Sequence, residues 1–245
     1  MVWGNWGIVH ILSILLAALI IVGIYYAIRK LSPARMTIVL GILSFAGIAA
    51  IIYNLVASGA PYQNLPLHLC SINAMLLPIV VFSKNKTLGN LLLVWSLGAL
   101  LSIIFNDAAM NIKIFSWKFF FYYFPHVIEF GIPVILFKTG LIKKDFRCIP
   151  STLGITFVIY TAVHFINVYL NAYFLEKGIQ NIYGGVLQVN YMFSIRPDNV
   201  LLDIFYKIVP HSYWYMLLAL PIIAVYLMVI YMPQIISYYK EKKKA

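Results

Sequence analysis

The run IVHILSILLAALIIVGIYYAI, Ile8–Ile28, carries no Lys, Arg, Asp or Glu and is followed at once by Arg29 and Lys30. A helix needs roughly 20 apolar residues to cross the ~30 Å hydrocarbon layer. Only helices and closed barrels satisfy their backbone inside lipid. The run is continuous rather than alternating, which predicts a helix. No basic residue precedes it and no small-residue cleavage site follows it, so it reads as a first span rather than a cleaved leader. Its charges lie on its far side, which predicts an external N-terminus.

Working outward from that run, the same criterion predicts seven spans: about Ile8–Ile28, Met36–Val56, Pro66–Phe82, Leu88–Phe105, Phe119–Phe137, Ile149–Leu170 and Tyr213–Ile235. The expected fold is all-α: a polytopic membrane protein with a bundle of seven transmembrane helices, N-terminus outside and C-terminus inside. Residues 1–245 form one transmembrane domain in this reading. A long outer segment, Asn171–Ser212, is expected to pack over the bundle as an interfacial or re-entrant stretch. It contains Gly184-Gly185, Pro197-Asp198 and Pro210, which interrupt helices.

Composition agrees. The 245 residues are 63% apolar and 10% charged, whereas a soluble domain carries about 25% charged residues. Water is therefore not the chain's main solvent. The net charge of +11 would suggest nucleic acid in a soluble protein. Here topology accounts for it, and no nucleic-acid partner is expected. With the N-terminus outside, 13 Lys and Arg fall in the inner loops and tail, including Lys240 and Lys242–Lys244, and 5 fall outside. That bias is the charge signature of orientation. Two cysteines, Cys70 and Cys148, make no disulfide scaffold.

Ionisable groups at bilayer depth are costly and usually face a cavity or a partner. At ~1.5 Å per residue from the outer ends, Cys70 lies about 6 Å in, Asn73 and His126 about 10 Å, and Glu129 about 15 Å. His68 sits at the mouth of the third span, Asp107 at the end of the fourth. His164, Asn167 and Asn171 occupy the last two turns of the sixth. Cys70 and Asn73 are three residues apart, as are His126 and Glu129, so each pair shares a helix face. The predicted arrangement is a shared outward-facing polar cavity. Asn73, Asn167 and Asn171 equally suit interhelical hydrogen bonding. Cys148 suits packing, and His10 and His211 carry no assignment.

Leu67-His-Leu-Cys70-Ser-Ile-Asn73, Phe105-Asn-Asp107, Tyr123-Phe-Pro-His126-Val, Asn190-Tyr-Met-Phe193 and Ser212-Tyr-Trp-Tyr215 follow one another along the chain. In this order they resemble the YwaF-type bacterial integral membrane proteins, from the third helix onward. That family is similar, more distantly, to a eukaryotic multispan family that moves acyl chains between phospholipids through a catalytic cysteine. The resemblance implies a bacterial cytoplasmic membrane location, Cys70 as nucleophile, His126 as base and His164 as a second match. The chain departs from the patterns at Asn106, where Pro is commoner, and at Ser71, where the eukaryotic motif has His.

The implied chemistry is physically coherent. A thiol in lipid needs a neighbouring base, as in other Cys–His pairs. Asp107 or Glu129 is expected to orient the imidazole. Asn73 or Asn167 is expected to donate to an oxyanion. His68 and Asn190 are further supporting residues. Membrane lipids are the expected partners, a phospholipid or lysophospholipid the expected substrate, and no cofactor is required. Two alternatives stand beside this reading. One is a zinc-dependent membrane lipid hydrolase, since these side chains are acceptable zinc ligands although no HExxH is present. The other is a non-enzymatic small-molecule or lipid binding or transport protein, although no internal repeat is visible.

Overall fold

A computed structural model describes residues 1–57, 59–105, 109–181, 183–198 and 200–243, the side chains of residues 200 and 201 excepted. Helices dominate: α1 (Ile8–Ile28), α2 (Pro33–Ser44), α3 (Ala46–Ala57), α4 (Leu69–Ser83), α5 (Lys86–Ile104), α6 (Trp117–Lys138), α7 (Ile149–Glu176), α8 (Val200–Ile208) and α9 (Ala219–Lys242). Short 3₁₀ turns occupy Pro61–Asn64, Phe146–Cys148, Tyr191–Phe193 and Trp214–Leu218. Among the described residues, extended pairing is limited to the isolated bridges Val2–Lys113 and Gln180–Val186.

Among the described residues, six helical stretches are long and apolar enough to cross a membrane: Ile8–Ile28, Pro33–Ala57, Lys86–Ile104, Trp117–Lys138, Phe146–Glu176 and Trp214–Lys242. The expected third span differs. Helix α4 starts at Leu69 rather than Pro66 and has 15 residues, about 22 Å at 1.5 Å per residue and short of the ~30 Å layer. The chain before it folds into a tight turn, in which the Leu67 N–H donates to the Leu65 carbonyl at 2.7 Å. The second span is one apolar stretch interrupted at Phe45, where α2 ends and α3 begins.

The chain divides into two compact units: Met1–Ala57 with Leu69–Lys144, and Ser58–His68 with Asp145–Ala245. In the first, α2, α4, α5 and α6 close on Leu40, Leu77, Val80, Leu92, Ile128 and Ile132, all at most 1% exposed. Helix α1 packs on α6 around Ala17, Tyr123 and Val127. Its other side exposes Leu12, Leu15, Leu19 and Val22, as a lipid-facing helix should. Close approach fixes two glycines. A Cβ on Gly47 of α3 meets the Ala74 Cβ of α4 at 2.5 Å, and one on Gly41 of α2 meets the Phe82 ring at 2.3 Å.

In the second unit α7 packs against α9. The span expected to end at about Leu170 belongs to a longer helix. Helix α7 continues to Glu176 and closes on Gly178 at φ +62°, with the Ile179 N–H donating to the Phe174 carbonyl at 2.9 Å, a Schellman-type ending. Residues Val200–Ile208 form a further helix, α8.

Candidate functional site

Helices α3, α4 and α6 pack on one another, and α4 and α6 each bring a buried polar group to that packing. Asn73 is 0% exposed and Glu129 3% exposed. The Asn73 amide Nδ2 points at Glu129 Oε2 across 3.5 Å, the far limit of a hydrogen bond. Asn73 Oδ1 is buried and has no hydrogen-bond partner among the described residues. Gly47 backs the carboxyl, since a Cβ there would stand 3.2 Å from Glu129 Oε1. Cys70, a free and half-buried thiol in the first turn of α4, hydrogen-bonds with Ser71 and lies within electrostatic reach of Glu129. Asn73 and Glu129 are thus brought together, with Cys70 three residues before Asn73 on α4.

His126 stands one turn before Glu129 on α6. Its Nδ1–H donates to the Tyr122 carbonyl at 2.5 Å, and its ring stacks on Tyr122 at 4.5 Å. A carbonyl can only accept, so the proton sits on Nδ1 and Nε2 keeps the basic lone pair. Among the described residues no hydrogen bond joins Cys70 to His126.

The second unit holds a separate network. Asn167, 0% exposed, donates from Nδ2 to the Tyr191 carbonyl at 2.7 Å and to Ser194 Oγ at 2.8 Å, and accepts from the Tyr191 N–H at 3.0 Å. Asn171 pairs with Val189 in the same manner, donating to its carbonyl at 2.9 Å and accepting from its N–H at 2.8 Å. Asn190 accepts from the Ile195 N–H at 3.0 Å and donates to the Arg196 carbonyl at 2.9 Å. These amides act as surrogate backbone, stitching the loop 189–196 to α7 and to itself. His164 Nδ1 lies 3.1 Å from the buried Ser194 Oγ, and its ring rests 4.9 Å from that of Tyr213.

The His68 ring meets Tyr191 edge-on at 5.4 Å and Phe193 at 5.7 Å. Burial lowers its pKa, and the nearby Asp198 carboxylate opposes that shift. Tyr215 donates its hydroxyl to the Phe193 carbonyl, and Tyr191 its own to the Tyr62 carbonyl. Asp107 lies outside the described residues.

A family model describing the TMEM164 family matches residues 3–231. The chain belongs to the TMEM164 family. It is accordingly a multi-pass membrane protein, and its helices agree. The match extends to residue 3, so the family pattern takes in the first two spans as well as the motif-bearing helices. No curated protein and no solved structure matches the chain.

Two parts of this TMEM164-family chain carried no assignment in the sequence. Ser194 is a buried hub joined to His164, Asn167 and, through its carbonyl, the Tyr213 N–H at 2.7 Å. The signal was its position directly after the Asn-Tyr-Met-Phe run. His10, 0% exposed, accepts from the Trp6 N–H at 2.9 Å and donates from Nε2 to the Ile103 carbonyl at 2.7 Å, tying the N-terminal segment and α1 to α5. Among the described residues no three His, Cys, Asp or Glu come together; Asp107, which the zinc reading counts as a ligand, lies outside them.

Proposed function

We propose that this TMEM164-family protein is a lipid acyltransferase of YwaF type in a bacterial cytoplasmic membrane, working through an acyl-Cys70 intermediate. The observation that supports this reading is the buried Asn73–Glu129 pair of α4 and α6, with Cys70 three residues before Asn73 on α4. The resemblance of the His68–Asn73 and Tyr123–Val127 segments to cysteine-dependent acyl-transfer proteins supplies the chemistry. In this reading α4 is a short third span of seven, the N-terminus is outside, and Cys70 sits near the outer headgroups, at the level of phospholipid ester carbonyls.

The step is nucleophilic acyl transfer. A basic nitrogen, His126 Nε2, takes the thiol proton. Sγ attacks the ester carbonyl, the lysophospholipid oxygen leaves with that proton, and a thioester remains. An alcohol of a second lipid then attacks the thioester, and Sγ leaves and recovers a proton. Glu129 orients the imidazole, and Asn73 donates to the oxyanion. Asp107 supports the site. Mass spectrometry of the purified protein incubated with acyl-labelled phospholipid tests this. A hydroxylamine-labile acyl group on Cys70 is expected. Absence of label there, or full transfer activity in Cys70→Ala, overturns it.

A second reading, a lipid- or solute-binding protein without turnover, is favoured by one observation: the buried, unpartnered Asn73 Oδ1 is an acceptor that a ligand donor would satisfy. Binding of lipid that persists unchanged in Cys70→Ser, with no transfer by the native chain, selects it.

A further inference from the structure

Helix α8 has three faces. At about 100° per residue, Leu202 marks the inward one. It is 7% exposed, with Phe205 and Tyr206 half-buried beside it. Asp203 and Lys207, one turn apart, form an exposed charged row. Ile204 and Ile208, also one turn apart, are 50% and 66% exposed. By the helical angle they point roughly 140° from Leu202 and roughly 100° from the charged row. The helix therefore has two apolar faces, and the protein covers one.

Its position says what covers the other. Helix α8 packs on the turn Trp214–Leu218, where the Tyr206 ring meets Tyr215 edge-on at 5.4 Å. That turn opens the membrane span Trp214–Lys242. A helix packed against the end of a span lies at the bilayer boundary. Trp214, 61% exposed, is of the residue type that concentrates at that level. A short helix with a charged row and an exposed apolar face is the pattern of one lying in the interface plane.

We infer that α8 is an in-plane interfacial helix whose partner is the headgroup–acyl boundary of the bilayer that α9 crosses. Ile204 and Ile208 enter the upper acyl region, and Asp203 and Lys207 stay among headgroups and water. One consequence follows for the neighbouring loop. The Tyr215 hydroxyl holds the Phe193 carbonyl and the Ser212 hydroxyl the Ile195 carbonyl, so the seating of α8 holds the Asn190–Arg196 loop at membrane-surface level. This inference is independent of the acyl-transfer reading.

The test uses the full chain with Cys70→Ser and Cys148→Ser, carrying in turn Asp203→Cys, Ile204→Cys, Lys207→Cys or Ile208→Cys. Each variant is labelled with bimane and reconstituted in phosphatidylcholine–phosphatidylglycerol vesicles. The adducts at 204 and 208 should be quenched several-fold more by lipid bearing a nitroxide high on its acyl chain than by aqueous iodide, and those at 203 and 207 the reverse. Equal iodide quenching at all four positions overturns the inference, because the apolar face is then in water. Shielding of 204 and 208 from both quenchers also overturns it, because protein then covers them, as does quenching chiefly by a nitroxide at the acyl terminus. Monodispersity of each variant in detergent, matched to the parent, ensures that the comparison is made on folded protein.

Discussion

Replacing Asn167 by Ala removes three hydrogen bonds at a fully buried position. The losses are unequal. Ser194 Oγ keeps His164 at 3.1 Å, and the Tyr191 carbonyl keeps the Ser194 N–H at 3.4 Å. The Tyr191 N–H loses Asn167 Oδ1. An orphaned buried donor costs about 1–3 kcal/mol, and a lost bond whose partner is otherwise served about 0.5–1.5 kcal/mol. Membrane side-chain hydrogen bonds average nearer ~0.6 kcal/mol, because the unfolded segment finds other partners. One orphaned donor and two otherwise served bonds together give about 2–6 kcal/mol, and the membrane average favours the low end. Asn171→Ala, a half-buried site with two bonds to Val189, should cost less, about 1–2 kcal/mol.

Denaturant titration in mixed micelles measures both variants. Trypsin supplies a local readout, because Arg196 is exposed and its backbone is held by Asn190 in the same loop. Cleavage after Arg196 should accelerate in Asn167→Ala before global unfolding. The reasoning fails if Asn167→Ala lies within about 0.5 kcal/mol of the parent, the range of an unremarkable surface change, with Arg196 cleaved at the parental rate. Something other than the amide would then hold the loop.

Gly47→Ala should destabilise by about 1–3 kcal/mol, because its Cβ meets Ala74 Cβ at 2.5 Å and Ala74 Cα at 3.3 Å, so α3 and α4 must separate. Gly41→Ala should cost less despite a nearer contact, because the obstacle is the tip of the Phe82 ring, which is 53% exposed and free to swing outward. Thermal midpoints of the two variants in the same detergent check this order. His68 predicts acid sensitivity: burial lowers its folded pKa below the ordinary 6.5, so the unfolded chain binds a proton first. Its contribution should be constant above that value, fall as pH drops below it, and level off beneath the folded pKa. The midpoint difference between the native chain and His68→Gln, followed from pH 7.5 to about 4.5, isolates it. His10→Phe should cost about 1–3 kcal/mol by leaving the Trp6 N–H and Ile103 carbonyl unserved, measured by the same denaturant titration.

Span-length apolar runs were legible because burial in lipid asks only for length and hydropathy. Ile8–Ile28 has the predicted ends. The span ending at about Leu170 belongs to a helix that runs on to Glu176. The Asn171 side chain is satisfied by the Val189 backbone, and the helix continues until Gly178 takes φ +62°. Gly178 was the readable stop signal. The start of α4 was not readable. Pro66 is a good helix-opening residue, but the turn at Leu65–Leu67 and the seat of His68 against Tyr191 and Phe193 postpone the helix to Leu69. Those aromatic partners are more than a hundred residues away in sequence.

Candidate-site residues divide along the same line. Helical spacing showed that Cys70 shares a face with Asn73, and His126 with Glu129. Packing brings Asn73 and Glu129 together, while the His126 Nδ1 proton goes to its own helix at Tyr122. Spacing also put His164, Asn167 and Asn171 on one stripe of α7, but their partners are the Ser194 hydroxyl and backbone groups of Val189 and Tyr191, which no periodicity announces. The geometry of that loop explains why it needs so many amides. Met192 and Phe193 both lie at positive φ, as does Tyr213, and none is glycine. Such conformations cost on the order of 1–3 kcal/mol each and persist only where surrounding contacts over-determine them. Asn167 fixes the residue before the strained pair and Ser194 after it, Tyr215 holds the Phe193 carbonyl, and Ser194 and Tyr160 hold Tyr213 through its N–H and carbonyl. The polar residues of α7 therefore offset the strain of the Asn-Tyr-Met-Phe loop, and substituting them should disturb the loop before it disturbs the span.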